Sequence, residues 1–534
     1  MATAAELLRQ GRRDEVWRKY CGFLDLSLES FMEIQERLLM EQVNLLSRCE
    51  LGKQLMGGAV PRNADEFRAQ VPLTTYDHYL PYLSSQTDDA GMFPAETYVW
   101  ARTSGRSEEH ACKWAPYTRE MVTKVGEFAV ATFIMASCSG RGDVRLDLDD
   151  CCLYTLAPPP YYTGAVIARG LVQELNPRFM PSLEDGDRMD FQERIQAGFK
   201  VAMRDGIDLF YGLSSILLAI GEQFERGSSS TKLSLEMFHP ALLYRVAKGM
   251  IRSKLGKRPM QPRDLWKVKG IIAGGMDTAF YRDRIEHLWG TRPLEGYGGT
   301  ELGGVAIQAW NRKGMTFLPD CCFWEFIPED DFFRSQTEPN FVPKALRLDE
   351  VTPGVYELVA TNFHGNVFTR YRSGDLVEII AMNDSEVRIN IPQMVFHARA
   401  DGVIDIAGFT RLTEKSVWQA IEEAGVPYRD WSIRKEYRDE GPTLHLYLEL
   451  KEPCTAADIT QRVHERLVEK DSGYADFHRM LGYHPLRVTI LSEGAFARYT
   501  EDRRRAGADL AHMKPRRMNP NDEVIMRLLQ GPSR

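Results

Sequence analysis

The hydrophobic texture of this chain changes twice, near residues 315 and 402, and those changes restrict its fold more than any single motif does. From about residue 103 to 330, strand-length apolar runs alternate with stretches of three-to-four-residue apolar spacing, as expected of helices laid on a sheet. Residues 265–273 read as a buried strand ending at Gly274 and Gly275, and 276–288 as the helix that follows. Between 315 and 400 the runs 323–327, 355–359 and 376–380 are short and strand-like, parted by Pro, Gly and Asn turns. From about 402 a separate small pattern begins. Leu444, Leu446, Leu448 and Leu450 alternate as in a strand, Thr455 and Asp458 form an N-cap pattern ahead of Ile459, Val463 and Leu467, and 486–491 reads as another strand. The first hundred residues read as helical, followed by a short strand at 97–100. The expected fold class is therefore α/β. A large N-terminal domain spans 1–400 with a β-rich subdomain at about 315–400, and a small α+β domain spans 401–534.

At 534 residues the chain exceeds what one core organises, so at least two folding units are expected. A net charge of -8 argues against a general nucleic-acid binder, whose phosphate contacts need a basic face. The strongest apolar stretches, 128–136 and 216–220, fall well short of the ~20 residues that span a bilayer, so no membrane span is expected. Charges begin soon after Met1 with no apolar h-region, which argues against a secretory signal. Nine scattered cysteines without a C-x-x-C pair suggest neither a zinc site nor a disulfide framework. Reduced thiols and a cytoplasmic setting fit best, and nothing in the sequence indicates an oligomeric state.

Four strings carry residues suited to nucleotide chemistry. Thr103-Ser104-Gly105-Arg106-Ser107 follows a strand, and its hydroxyls and open backbone N–H groups can hold phosphate oxygens. In Gly296-Tyr297-Gly298-Gly299-Thr300-Glu301 the glycines admit a planar ligand, the ring can stack on a base, and the carboxylate is the hard ligand that Mg²⁺ prefers. Gly274-Gly275-Met276 offers a second glycine-lined wall. In Tyr371-Arg372-Ser373-Gly374-Asp375, an aspartate fixed at a turn can accept both hydroxyls of a ribose. The fourth, Arg399-Ala400-Asp401-Gly402, sits at the second change of texture and is a candidate hinge. Taken singly, each is as readily an ordinary polar or glycine-rich turn, or for Asp401-Gly402 a hairpin turn.

Their order is more specific than any one of them. A Ser-Gly loop, a Gly-Gly pair, Tyr-Gly-x-Thr-Glu, Tyr-Arg-x-Gly-Asp and Arg-x-Asp follow one another as in adenylate-forming enzymes, the superfamily of acyl- and aryl-CoA ligases and luciferases. Within it the chain most resembles the Gretchen Hagen-type acyl acid–amido synthetases, the auxin-responsive family known from plants and also found in bacteria. The likeness adds Phe67-x-x-x-Val71-Pro72-Leu73-x-x-Tyr76, Leu80-Pro81-Tyr82-Leu83, the apolar run from Phe323 to Pro328, Gly494-Ala495-Phe496 and Met513-Lys514-Pro515-Arg516.

The resemblance implies ATP and Mg²⁺ as cofactors, a small carboxylic acid as substrate, and an amino acid as acceptor. Thr103, Ser104, Gly105 and Ser107 would lie at the phosphates. Gly274, Gly275, Met276, Tyr297, Gly298 and Thr300 would line the nucleotide, with Gly275 and Tyr297 flanking the adenine. Glu301 would ligate Mg²⁺, Asp375 would hold the ribose, Arg399 would contact ribose or phosphate, Asp401 would mark the hinge of a mobile C-terminal lid, and Lys514 would reach into the site. The phosphate loop departs from the family pattern: Arg106 replaces a threonine, Glu108 and Glu109 replace small residues, and Lys113 stands one place late. Two readings stay open beside the amide-forming one: a ligase with the same first step that uses the CoA thiol as acceptor, and, supported only by the altered phosphate loop, a nucleotide-binding protein weakened in catalysis. Tyr161, Tyr162, Phe210 and Tyr211 are candidate walls for the acyl group, though aromatic residues are more often plain core.

Overall fold

The computed structural model describes residues 2–87, 90–103, 113–189, 191–225, 240–274, 278–338, 340–399, 402–406, 410–438, 441–481, 483–505 and 515–530. These fall into two compact units, the first running to Ala398 and the second beginning at Arg399.

The first unit is organised by a twelve-stranded sheet. From one edge to the other its strands are Leu346–Arg347, Cys322–Pro328, Gly354–Asn362, Tyr371–Ala381, Gln393–Arg399, Met315–Phe317, Gly303–Gln308, Leu294–Gly299, Gly270–Gly274, Leu209–Leu213, Cys151–Tyr154 and Arg178–Met180. The last five are mutually parallel, and from Leu294–Gly299 back to the first edge every described pairing is antiparallel. Cys151–Tyr154, Leu209–Leu213 and Gly270–Gly274 are buried on both faces, which is why they read as unbroken apolar runs. The two-residue period of a strand divides their side chains between two cores. Cys152, Tyr154, Leu209, Tyr211 and Ile272 pack with Val130, Phe133 and Ile134 of the helix Arg119–Ser137. On the other side Leu153, Phe210, Ile271 and Ala273 pack with Leu217, Tyr281, Ile285 and Leu288.

One expectation needs correction here. The apolar run from 265 is not one strand: Pro262–Leu265 forms a helical turn, capped where Asp264 accepts from the Gln261 backbone N–H at 2.9 Å, and the strand begins at Gly270. The strands from 315 to 399, in the stretch expected to be β-rich, extend the parallel sheet in antiparallel fashion. The helix Leu28–Leu46 lies against that extension, and two buried glutamines tie it down. Gln35 donates to the carbonyls of Pro319 and Cys322, and Gln42 donates to that of Asn366.

The second unit has a three-stranded sheet in which Tyr428–Arg438 pairs antiparallel with Gly441–Leu450, and Gly441–Leu450 pairs parallel with Leu486–Ile490. The helix Ala456–Lys470 begins where Thr455 accepts from the Asp458 N–H, and it buries Ile459, Val463 and Leu467. Gly402, at the start of this unit, has φ +68°, a conformation that glycine reaches without the Cβ penalty of other residues.

Candidate functional site

The candidate site lies where the sheet changes from parallel to antiparallel pairing. Tyr297 stands on that switch strand, Leu294–Gly299, and Asp375 stands on Tyr371–Ala381, four strand positions away along the sheet. At ~4.8 Å per strand a flat sheet would part them by ~19 Å. Instead the Tyr297 hydroxyl donates to Asp375 Oδ2 at 2.5 Å, so the antiparallel half curls back over the switch strand. The ring of Phe396 packs on Tyr297 with centroids 5.7 Å apart.

A bulge aims Asp375. Opposite Leu358 the register of strands Gly354–Asn362 and Tyr371–Ala381 slips between Glu357 and Val359, and Gly374 takes φ +70°. A Cβ at Gly374 would meet nothing within 4 Å, so the need for glycine there is conformational rather than steric. Ser373 Oγ donates to the Leu358 carbonyl at 2.7 Å and accepts from the Asp375 N–H at 3.1 Å, closing the turn. Arg372, on the other face of the strand, pairs with the buried Glu357 at 2.7 Å. Burial raises the pKa of Glu357 despite that partner.

Three strings meet at Tyr371. Its hydroxyl lies 3.1 Å from Lys113 Nζ and 3.4 Å from Glu301 Oε1, and Lys113 Nζ lies 3.7 Å from the same carboxylate oxygen. Desolvation first, then the charge of Glu301, hold the Tyr371 phenol well above its ordinary pKa. The backbone of Lys113 exchanges with Thr103: the Thr103 N–H donates to the Lys113 carbonyl at 2.9 Å, and the Lys113 N–H donates to Thr103 Oγ1 at 3.1 Å. Thr103 and Lys113 thus form the base of the Ser-Gly string. The Glu301 carbonyl accepts from Asn362 Nδ2 at 3.1 Å, and the Thr300 carbonyl accepts from the Tyr117 hydroxyl at 2.8 Å. Gly298 is dictated by packing, since a Cβ there would sit 2.6 Å from the Gly303 carbonyl oxygen.

The segment from Val71 to Tyr79 braces Tyr371 from behind. Thr74 flanks Tyr371 with two backbone hydrogen bonds of 2.9 Å, its N–H donating to the Arg370 carbonyl and its carbonyl accepting from the Arg372 N–H, while Thr74 Oγ1 donates to the Thr369 carbonyl at 2.7 Å and the Tyr79 hydroxyl accepts from the Thr369 N–H at 2.8 Å. Arg370 seals the joint. Its guanidinium pairs with the fully buried Glu325 and donates to the carbonyls of Arg68 and Val71.

The acyl-wall candidates separate. Tyr162 packs 5.8 Å from Tyr117, and its buried hydroxyl has no hydrogen-bond partner among the described residues, a state that asks for an explanation in a native fold. Tyr211 lies on the same side of the sheet, in one core with Tyr162. Phe210 faces the opposite way and is wholly buried in the other core, set apart from Tyr211 by strand alternation. Tyr161 stands apart, its hydroxyl 2.6 Å from an Arg102 nitrogen and its ring beneath that guanidinium. Gly274 ends its strand opposite Leu213. Arg399 ends the strand Gln393–Arg399 and belongs to the second unit. Ser104, Gly105, Ser107, Gly275, Met276, Asp401 and Lys514 lie outside the described residues, as do Arg106, Glu108 and Glu109.

The sequence alone does not mark Lys113, Tyr117 or Tyr371 as members of this cluster. Tyr371 opens the Tyr-Arg-x-Gly-Asp string, and Lys113 stands out only by its displacement from the family pattern. Among the described residues no group of three or more His, Cys, Asp or Glu side chains could hold a metal ion. Glu301 alone suits a cation that keeps most of its ligands as water and phosphate oxygens, as Mg²⁺ commonly does. No described helix is long and apolar enough to cross a membrane, and the described cysteines are free thiols.

Comparison with known proteins accords with this geometry. Residues 22–142 match the GH3 family N-terminal domain and residues 315–399 the GH3 family central domain. The fold is similar to that of the GH3.15 acyl acid amido synthetase in complex with 2,4-DB, with a TM-score of 0.52 at 17% identity over 95% of this chain and 94% of that one. A second structure of GH3.15 acyl acid amido synthetase gives 0.50 at 18% identity over 93% of each chain. A 2-hydroxyisobutyryl-CoA ligase in complex with 2-HIB-AMP and CoA gives 0.52 at 13% identity over 89% of this chain and 88% of that one. No curated protein matches the sequence. Two segments of the chain thus match the N-terminal and central domains of the GH3 family, and its fold is similar to that of these ligases.

Proposed function

We propose that this protein is an ATP-dependent ligase that activates a carboxylic acid as an acyl-adenylate and transfers the acyl group to the amine of an amino acid, giving an amide. The observation that carries the reading is that the Tyr-Gly-x-Thr-Glu and Tyr-Arg-x-Gly-Asp strings meet at two places, Tyr297 with Asp375 at 2.5 Å and Glu301 with Tyr371 at 3.4 Å, and that Lys113, at the base of the Ser-Gly string, joins the second through distances of 3.1 and 3.7 Å. In the first step a carboxylate oxygen attacks the α-phosphorus of ATP, and the bond to the pyrophosphate oxygen breaks. The chemistry is mainly charge management. Asp375 would accept the ribose hydroxyls, with its orientation set by Tyr297 and by the Gly374 bulge. Thr103 and the Ser104, Gly105 and Ser107 backbone would hold phosphate oxygens, beside Gly274, Gly275, Met276, Gly298 and Thr300. A Mg²⁺ ion on Glu301 would supply positive charge to those oxygens when bound, and Lys113 would then turn from Glu301 toward the phosphates. Tyr162 supplies an unclaimed buried hydroxyl on the acyl side, with Tyr211 behind it.

In the second step the amine attacks the acyl carbon and AMP leaves. Arg399, Asp401 and Lys514 belong to the C-terminal part, which would act as a lid turning at Asp401-Gly402, with Lys514 serving the first step. Such gating belongs to the same reading. The substrate is a small carboxylic acid, and the enzyme works in the cytoplasm. The CoA thiol is the competing acceptor, because the fold is shared equally with a CoA ligase.

The test is ATP–pyrophosphate exchange across a panel of carboxylic acids, followed by AMP release with amino acids or CoA as acceptor. Acid-stimulated exchange is expected, with Glu301→Gln lowering it roughly a hundredfold or more. ATP binding with no acid able to stimulate exchange would instead make this a nucleotide-binding protein without ligase activity.

A further inference from the structure

One helix exposes what helices in a folded chain normally bury. The helix Pro240–Leu255 turns Leu242, Val246 and Gly249 inward, where a Cβ on Gly249 would meet Leu265 at 2.8 Å. Arg245 anchors it by donating to the backbone carbonyls of Met203, Arg204 and Asp205 at the C-terminal end of the helix Phe191–Asp205. Its outward face is apolar as well. Leu243 is 52% exposed, Tyr244 68%, Met250 55%, Ile251 60% and Leu255 79%. At 100° per residue these five span a continuous arc of roughly 140°, wider than the stripe an ordinary surface helix buries against its own core.

The charges around this arc have one sign. From residue 240 to 263 there is no Asp or Glu, in a chain whose net charge is -8. Lys254 lies within the arc, Lys248 and Arg252 border one edge, and Lys257 follows the helix; all four are exposed. Lys248 sits 5.8 Å from the Tyr244 ring centroid. Arg258, by contrast, is taken up by Asp264 at 2.7 Å.

We propose that this face docks the protein onto an anionic lipid surface. A helix with a wide apolar stripe, a tyrosine and several free lysines is suited to lie in the headgroup plane, where the stripe leaves water and the ammonium groups meet lipid phosphates and carboxylates. A second copy of this chain fits the face less well. Pairing the same patch on two copies would bring Lys248, Arg252 and Lys254 against themselves.

The experiment is co-sedimentation of the full chain with phosphatidylcholine vesicles, with and without phosphatidylserine, at low and physiological salt. Binding is expected to the mixed vesicles, weakened by salt and weak to phosphatidylcholine alone. Lys248→Ala and Lys254→Ala should each lower it roughly fivefold. The double variant Ile251→Glu/Leu255→Glu, on two solvent-facing positions, should abolish binding while leaving the circular dichroism and melting temperature unchanged. Absence of binding to mixed vesicles, equal binding to both compositions, or full binding by the double variant each overturns the proposal. So does a self-associating chain that the double variant renders monomeric and that ignores vesicles.

Discussion

Replacing Arg370 by methionine tests whether the site rests on the joint behind Tyr371. The guanidinium, on a residue 6% exposed, places Nε 3.0 Å and Nη2 2.8 Å from the Glu325 carboxylate, and Nη1 2.7 and 2.6 Å from two carbonyl oxygens. The residue also holds φ +44°, a left-handed conformation that persists only where its surroundings enforce it. In Arg370→Met the Glu325 carboxylate stays wholly buried, and its nearest cation becomes Arg68 Nε at 3.8 Å. Removing one partner of a buried ion pair costs about 3–5 kcal/mol. Two carbonyls left without donors would add to that, and Arg68 would offset part of it, so we expect about 4 kcal/mol. This is a large share of the 5–15 kcal/mol typical of a folded protein. The double variant Glu325→Leu/Arg370→Met removes the stranded charge and should recover most of the loss. Urea unfolding followed by tryptophan fluorescence and circular dichroism measures both variants. A single variant within about 1 kcal/mol of the parent, or a double variant less stable than the single, would refute the reasoning.

Three further expectations follow from the same geometry. Gly374→Ala meets no atom but is forced to φ +70°, so it should cost about 1–2 kcal/mol and weaken ATP binding in isothermal titration, through the displaced Asp375. Tyr297→Phe removes a short charge-assisted hydrogen bond and should weaken ATP binding about fivefold, with little change in turnover once ATP saturates; unchanged affinity would separate Tyr297 from the nucleotide. In the second unit, burial and then the neighbouring His484 and His478 lower the His464 pKa from 6.5 to about 4. Between those values the unfolded chain binds a proton that the folded chain refuses, so stability is retained above about pH 6.5 and falls as the pH drops toward 4. His464→Gln should flatten that fall in thermal melts across the window.

Much of this was legible from local pattern. The two texture changes, the parallel strands as apolar runs, the Thr455 cap and the strand at Leu444–Leu450 all follow from side-chain period and capping chemistry within a dozen residues. Local pattern misled where one apolar run held a capped turn as well as a strand, as at 262–274.

What the sequence determined alone is the set of chemical groups and the direction each local element faces. A two-residue period puts Phe210 and Tyr211 on opposite faces whatever the sheet does, and Gly374 reaches its positive φ because of what glycine is. Only the tertiary structure decided which groups meet. Strand partners are chosen by pairing between segments as far apart as Thr316 and Gln393 and by packing between others as far apart as Gln35 and Cys322, and the curl of the sheet is a sum over many such pairings. That curl closes the distance between Tyr297 and Asp375, and sets Lys113, Glu301 and Tyr371 around one point.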